Sequence, residues 1–264
     1  MTLYFSFIRY VLNSLRRPEW TTPSISNWRG FGNYEYVYNS KDFWFALQNS
    51  LFIVGSILAL TVLLGLAFAM LVNRSFPGRG IVRVLLISPF FVMPAVNAVL
   101  WINMILDPVL GLRSFFSMWP EIEPISFRAT QTSAYAVIMM VTWQWTPFAV
   151  LIFMTSLQSE DESQKEAAIL DGASAWSRFR NLTIPHLARP IAIVVMIQSI
   201  FHLSLYAEIE ITSRGNGNKN LPYLIGEFTS NNIGAASAAG IFAVILANIV
   251  AIFLLRMVGK NLMD

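Results

Sequence analysis

Charge-free apolar stretches recur along the chain at 43–73, 84–106, 129–159, 190–207 and 228–255. A helix needs about 20 apolar residues to cross the hydrocarbon core of a bilayer. Four of the stretches reach that length, and 190–207 is marginal. In lipid every backbone amide must be satisfied within its own segment, so these stretches predict helices and not open strands. The expected fold class is all-α, a polytopic membrane helical bundle with five full spans. A shorter apolar stretch at 3–15 is interrupted by Arg9. It reads either as the outer end of a first helix whose beginning is missing, or as an interfacial helix.

Prolines fall inside the predicted spans: Pro89 and Pro94 in the second, Pro147 in the third. A proline removes one helical hydrogen bond and kinks the helix. Such kinks serve either ordinary packing or the lining of a cavity that opens and closes.

Composition agrees with a lipid solvent. Of 264 residues 55% are hydrophobic and 12% charged, and the mean hydropathy is +0.56. A soluble domain carries about 25% charged residues. The chain holds no cysteine, which excludes disulfides, thiolate metal sites and a cysteine nucleophile. A net charge of +3 without any basic run gives no sign of a nucleic-acid partner. The opening residues have neither a basic n-region nor a small-residue cleavage site, so no removable signal peptide is expected.

Orientation follows from basic residues near the spans. Arg74, Arg79 and Arg83 lie in a loop without an acid. Lys165, Arg178, Arg180 and Arg189 follow the third span, and Arg256 and Lys260 follow the last. These three sets are expected on the cytoplasmic side, which puts the C-terminus there. The opposite side also carries Arg16, Arg17, Arg29, Lys41, Arg113, Arg128, Arg214 and Lys219, so the acid-free loop is the firmest local sign. No internal repeat is visible, and two-fold symmetry would require a second subunit.

The segment 158–190 is the longest expected cytoplasmic loop. Acids crowd its start, which suits a helix N-terminus. Ala167, Ala168 and Leu170 are strong helix formers. Gly172 can end that helix in the left-handed conformation, and Ser174 can cap a second short helix. Trp176 and Phe179, three apart, share a face of it. Pro185 and Pro190 punctuate the return to the membrane. The residues alone leave two readings open: an amphipathic helix on lipid headgroups, or a docking knob for a soluble partner.

Within this loop stand Glu166-Ala167-Ala168, then Gly172 after three residues, then Leu182-Thr183-Ile184-Pro185 after nine more. This spacing resembles the EAA loop of binding-protein-dependent ABC importer permeases, with the two aliphatics Leu182 and Ile184 exchanged. The resemblance covers nearly the whole chain. Phe31-Gly32-Asn33-Tyr34 with 43–50, and Arg74-Ser75-Phe76-Pro77-Gly78-Arg79-Gly80, are similar to carbohydrate importers. Tyr206-Ala207-Glu208-Ile209, 234–240, 246–251 and 258–262 are similar to sorbitol/mannitol-type permeases. Family members have a full first helix before the stretch matching residues 2–7.

The resemblance implies a single permease domain over 1–264 in the bacterial inner membrane. It implies that the segment 172–181 is a coupling helix seated in an ATPase groove, with Glu166, Ala167, Ala168, Gly172, Trp176, Phe179 and Pro185 as coupling residues. Glu166 would pair with a basic residue of the ATPase. The implied partners are a second permease subunit, an ATPase dimer and a periplasmic substrate-binding protein. ATP and magnesium would reside in the ATPase, since this chain has no G-x-x-x-x-G-K-[ST].

Polar side chains inside spans are costly and usually face a protein interior or a wet cavity. The candidates are Asn97, Asn103, Gln144, Gln198, His202, Ser204, Glu208, Glu210 and Asn248. A polyol would be held by carboxylates and amides and stacked on aromatic rings. Glu208 with Tyr206, Gln144 with Trp143 and Trp145, and Asn97 are the substrate-path candidates. The competing role is packing, or for Glu208 and Glu210 a place at the outer boundary. His202 suits an interhelical hydrogen bond, and His186 a solvated edge. The Gly- and Asn-rich loop 213–220 is expected to be flexible, and the resemblance allows it to approach the binding protein.

An intramembrane enzyme such as a lipid transferase is the alternative. Its acids would have to converge, but Glu208 and Glu210 are two apart on a helix and diverge. Two histidines and no cysteine make a metal site hard to build. A stand-alone secondary transporter lacks the internal repeat that would support it.

Overall fold

The computed structural model describes residues 2–7, 28, 30–107, 109, 111, 112, 126–128, 130 and 132–260. Arg9, Arg16, Arg17, Arg29 and Arg113, residues 8–15 of the first apolar stretch, and residues 261–264 lie outside the described residues.

The described elements are all helical. Short α1 (Thr2–Ser6) and α2 (Gly32–Tyr38) precede α3 (Lys41–Asn73). At 1.5 Å per residue the 33 residues of α3 extend about 50 Å, beyond the roughly 30 Å of a hydrocarbon core. Next come α4 (Arg79–Ile87), a 3-10 turn at Ser88–Phe91, and α5 (Pro94–Val99), which continues as a π-type turn at Leu100–Ile105. Then follow α6 (Ser133–Gln158), α7 (Glu162–Leu170), α8 (Ala175–Arg178), a π-type stretch at Phe179–Thr183, and α9 (Ile184–His202). The order ends with α10 (Ala207–Ser213), α11 (Leu221–Asn231) and α12 (Ile233–Lys260).

Among the described residues four helices are long and apolar enough to cross a membrane. A fifth crossing exists if the bent pair Arg79–Phe91 and Pro94–Ile105 is one span. The expected all-α class and five spans are met on that count, and the boundaries differ from expectation in three places.

The second span is broken, not merely kinked. Helical structure stops at Phe91 and restarts at Pro94. Pro94 opens α5, Val92 is extended, and Met93, directly before the proline, is in no helix. A residue preceding proline is pushed out of the helical region, which ends a helix before it. The fourth span runs unbroken over Ala175–His202, in place of the expected 190–207. Pro185 and Pro190 both lie inside α9. A widened turn takes up the missing donor: the Ile184 amide reaches back to the Phe179 carbonyl. The last span starts at Ile233, because Asn232 leaves helical geometry and its side chain accepts the Ala235 amide at 3.1 Å. Asparagine is a strong N-cap, and this cap separates α11 from α12.

Contacts divide the chain into two compact units. The first comprises residues 1–55, 94–138 and 201–250. Its core joins Val37, Phe43, Leu221 and Leu224 to Ala235, Ala238 and Ala239. The three alanines on α12 allow helices to approach closely, the usual means of packing inside lipid. The second unit comprises 56–93, 139–200 and 251–264. Ala69, Ala149, Val150, Phe153, Leu157, Leu187 and Val194 form its core. At Gly65 a Cβ would lie 2.5 Å from that of Ala149, so α3 and α6 meet there almost backbone to backbone.

Candidate functional site

The loop in the second unit is built by local capping. Asp161 accepts the Ser163 amide at 2.9 Å and starts α7. The Ser163 side chain, with that amide, holds the Asp161 carboxyl below its ordinary value. At the other end Ala173 N–H donates to Ala168 and Gly172 N–H to Ile169, at 2.9 and 3.0 Å. This is a Schellman closure, and Gly172 takes the required left-handed φ of +74°. Ser174 then caps α8 by accepting the Ser177 amide at 3.2 Å. Arg178 ties the turn by donating to the Ala173 carbonyl at 2.8 Å. The Ser174 cap and the glycine stop stand where the sequence places them, whereas the sequence marks Asp161 only as one of the acids suited to a helix N-terminus. The expected coupling segment is α8 with the start of the π-type stretch, continuous with α9.

The loop presents an apolar surface. Trp176 is 68% exposed and its ring lies 5.4 Å from that of Phe179. Leu170 is 87% exposed and Ile169 is exposed beside it. The sequence reading counted Leu170 only as a helix former. Its signal was available: an aliphatic pair immediately before a glycine stop, in a helix otherwise polar or alanine. Glu166 and Ala167 are exposed, Ala168 is half-buried and Pro185 is exposed. The Glu166 carboxylate makes no ion pair among the described residues, whereas Lys165 meets Glu160 at 3.1 Å. His186, expected to be solvated, is half-buried and contacts the Ser156 carbonyl at 2.8 Å.

The polar candidates divide between the units. In the second unit Gln144 is buried and donates from Nε2 to the Val92 carbonyl, in the break of the bent span. The amide thus satisfies backbone that the break sets free. Trp145 packs edge-on to Phe90 and Phe148, at 5.5 and 5.9 Å. Gln198 accepts from Thr61 at 2.7 Å and donates to the Trp145 carbonyl at 3.4 Å, which links α9 to α3 and α6. Gln198→Leu is therefore expected to lower stability by about 1 kcal/mol, typical of a hydrogen bond between membrane helices. Thermal unfolding in detergent measures it. Abolished transport at unchanged stability would instead put Gln198 on the substrate path.

In the first unit α10 packs on α5, which brings Glu208 and Asn97 onto neighbouring helices. Both are buried, Glu208 to 4% exposure and Asn97 to 0%. Tyr206, 45% exposed, stacks on Tyr223 with centroids 5.8 Å apart. Burial, and after it the Glu210 carboxylate, pushes the Tyr223 phenol up. Arg128, Glu210, Ile211, Thr212, Ser213 and Arg214 line a cavity of about 460 Å³. Asn103 accepts from Arg128 at 2.7 Å. Asn248 is exposed and donates to its own helix at the Val244 carbonyl.

The loop 213–220, expected to be flexible, is tied on several sides. Ser133 donates to the Asn216 carbonyl at 2.8 Å, and Thr130 to the Asn216 side chain at 3.0 Å. Asn49 on α3 donates to the carbonyls of Gly217 and Lys219. Lys219 pairs with Glu227 at 2.7 Å and approaches Asp42 at 3.8 Å.

Bent and continuous apolar helices, with a capped exposed loop between two of them, are the architecture of a polytopic membrane protein. The family model for the inner membrane component of binding-protein-dependent transport systems matches residues 61–264, and the chain belongs to that family. That membership sets aside the enzyme alternative. A probable ABC transporter permease of Sinorhizobium fredii is 34% identical over 190 residues, 72% of this chain, and the chain spans 61% of that relative's length. The trehalose/maltose transport system permease MalF of Thermococcus litoralis is 29% identical over 208 residues, 78% of this chain and 70% of that protein. The fold is that of a solved structure, a bacterial ABC transporter involved in the import of the acidic polysaccharide alginate. The TM-score is 0.76 at 21% identity, over 88% of this chain and 84% of that one.

Proposed function

We propose that the chain is the permease subunit of an ATP-driven importer and passes a carbohydrate from a periplasmic binding protein to the cytoplasm by alternating access. The capped loop over 158–190 carries this reading. Its Schellman turn at Gly172 joins two capped helices that leave Trp176 and Leu170 exposed, as a docking element requires. An ATPase dimer would close on ATP, draw two such loops together and open the cavity outward. The ATPase, which would hold ATP and magnesium, and a second permease subunit complete the assembly.

The loop, the segment carrying Arg74 to Arg83 and the C-terminus would face the cytoplasm. Family membership and the trehalose/maltose relative support a sugar as cargo. A polyol is the finer reading, from the resemblance of the segments around Tyr206 and in α12. Asn97, Tyr206 and Glu208 in one unit, and Gln144 and Trp145 in the other, are the residues proposed along its path.

Glu166→Ala tests the docking. Its carboxylate is exposed and makes no ion pair among the described residues, so the chain should insert at the wild-type level and lose its ATPase on co-purification. Retention of the ATPase, or transport by the purified chain alone, sinks the proposal. A binding-protein affinity screen against polyols and disaccharides decides the cargo.

A further inference from the structure

We propose that Arg79 and Arg83 form a binding site for the phosphate headgroup of an anionic phospholipid. Arg74, Arg79 and Arg83 are the only charged residues between Asp42 and Asp107. Arg79 and Arg83 lie four apart in α4, hence on one face. Leu86 shares that face and packs on the core of Ala69, Phe153 and Leu187. The opposite face carries Ile81, Val84 and Leu85, which are 69%, 68% and 66% exposed. The helix is therefore amphipathic in reverse, apolar outward and basic inward.

Arg79 and Arg83 are half-buried, and part of each guanidinium lacks an acceptor among the described residues. Arg79 Nε, Arg83 Nε and Arg83 Nη2 are out of solvent and have no hydrogen-bond partner among the described residues. Neither arginine is in an ion pair among those residues. Buried donors are almost always paired, and leaving a charged one unpaired is costly. No described residue supplies that acceptor, and a bound anion would do so.

A lipid phosphate fits better than a partner carboxylate. The site follows Asn73, the end of a 33-residue apolar helix, and is proposed to lie at headgroup depth. The apolar outward face of α4 suits acyl chains. Basic pockets between membrane helices bind anionic headgroups, and guanidinium forks match phosphate oxygens two at a time. The inference rests on the proposed function only for which leaflet supplies the lipid.

Native mass spectrometry of the assembled transporter, taken from nanodiscs of phosphatidylcholine with phosphatidylglycerol, tests it. Wild type should retain phosphatidylglycerol preferentially, and inorganic phosphate should not displace it. Arg79→Gln with Arg83→Gln should cut that preference about 25-fold, at about fivefold per arginine. Arg83→Lys, which keeps the charge and the fold, should cut it less than Arg83→Gln does. No preference in wild type, equal retention in the double variant, or displacement by inorganic phosphate overturns the proposal. Loss of a protein subunit with lipid retention unchanged also overturns it, because the acceptor is then a carboxylate. Lipid retention is read independently of the ATPase co-purification that tests Glu166, so the two readings fail separately.

Discussion

Gly217→Ala is expected to destabilise the chain by about 3 kcal/mol or more, through strain at a left-handed residue and lost loop contacts. Gly217 has a φ of +79°, which costs an alanine about 1–2 kcal/mol. There is also no room: a Cβ there would overlap the Thr130 carbonyl oxygen and lie 2.5 Å from the Thr130 Cα. Relief requires moving the loop. Its hydrogen bonds to Ser133, Thr130 and Asn49 would then weaken together, at about 1 kcal/mol each. Gly172→Ala is the control. It carries a similar φ of +74°, but nothing lies within 4 Å of its Cβ. Only the backbone cost of about 1–2 kcal/mol should appear there. Thermal unfolding of the purified proteins in one detergent measures both. A Gly217→Ala chain as stable as Gly172→Ala would mean the loop yields freely, as its composition alone suggests.

Features with local causes were legible in the sequence. The number of spans follows from gaps between charges, and the stop at Gly172 and the cap at Ser174 from local residue types. Features that depend on distant partners were not. Pro94 and Pro185 look alike in sequence, yet one ends a helix and the other does not. At the break before Pro94 the freed Val92 carbonyl finds Gln144, 52 residues on. Before Pro185 a π-type turn five residues long takes up the missing bond. The burial of Glu208 depends on the contact of α10 with α5, which no local pattern announces. The ties on the loop 213–220 come from Ser133, Thr130 and, more than 160 residues earlier, Asn49. Of the candidate site, the frame of the docking loop could thus be read directly, whereas the polar residues of the spans could be named but not arranged.

Trp176→Ala is expected to weaken association with the ATPase by about 30- to 1000-fold while leaving the chain's own stability within about 0.5 kcal/mol of wild type. The asymmetry follows from exposure. At 68% exposed, with Phe179 its aromatic neighbour, the indole supports little of the fold. Buried in a partner's groove, a tryptophan of this kind contributes about 2–4 kcal/mol, which corresponds to that range of affinity. Phe179→Ala should cost less, because Phe179 is half-buried already. Titrating the ATPase onto the permease in detergent, with thermal unfolding in parallel, separates binding from folding. The same variant distinguishes the two readings the residues left open. An indole resting on lipid headgroups would, when removed, lower membrane partitioning of the loop and leave ATPase affinity unchanged. An unchanged affinity would therefore move Trp176 to the lipid surface. The docking role would then fall to Ile169 and Leu170, the exposed aliphatic pair that ends α7.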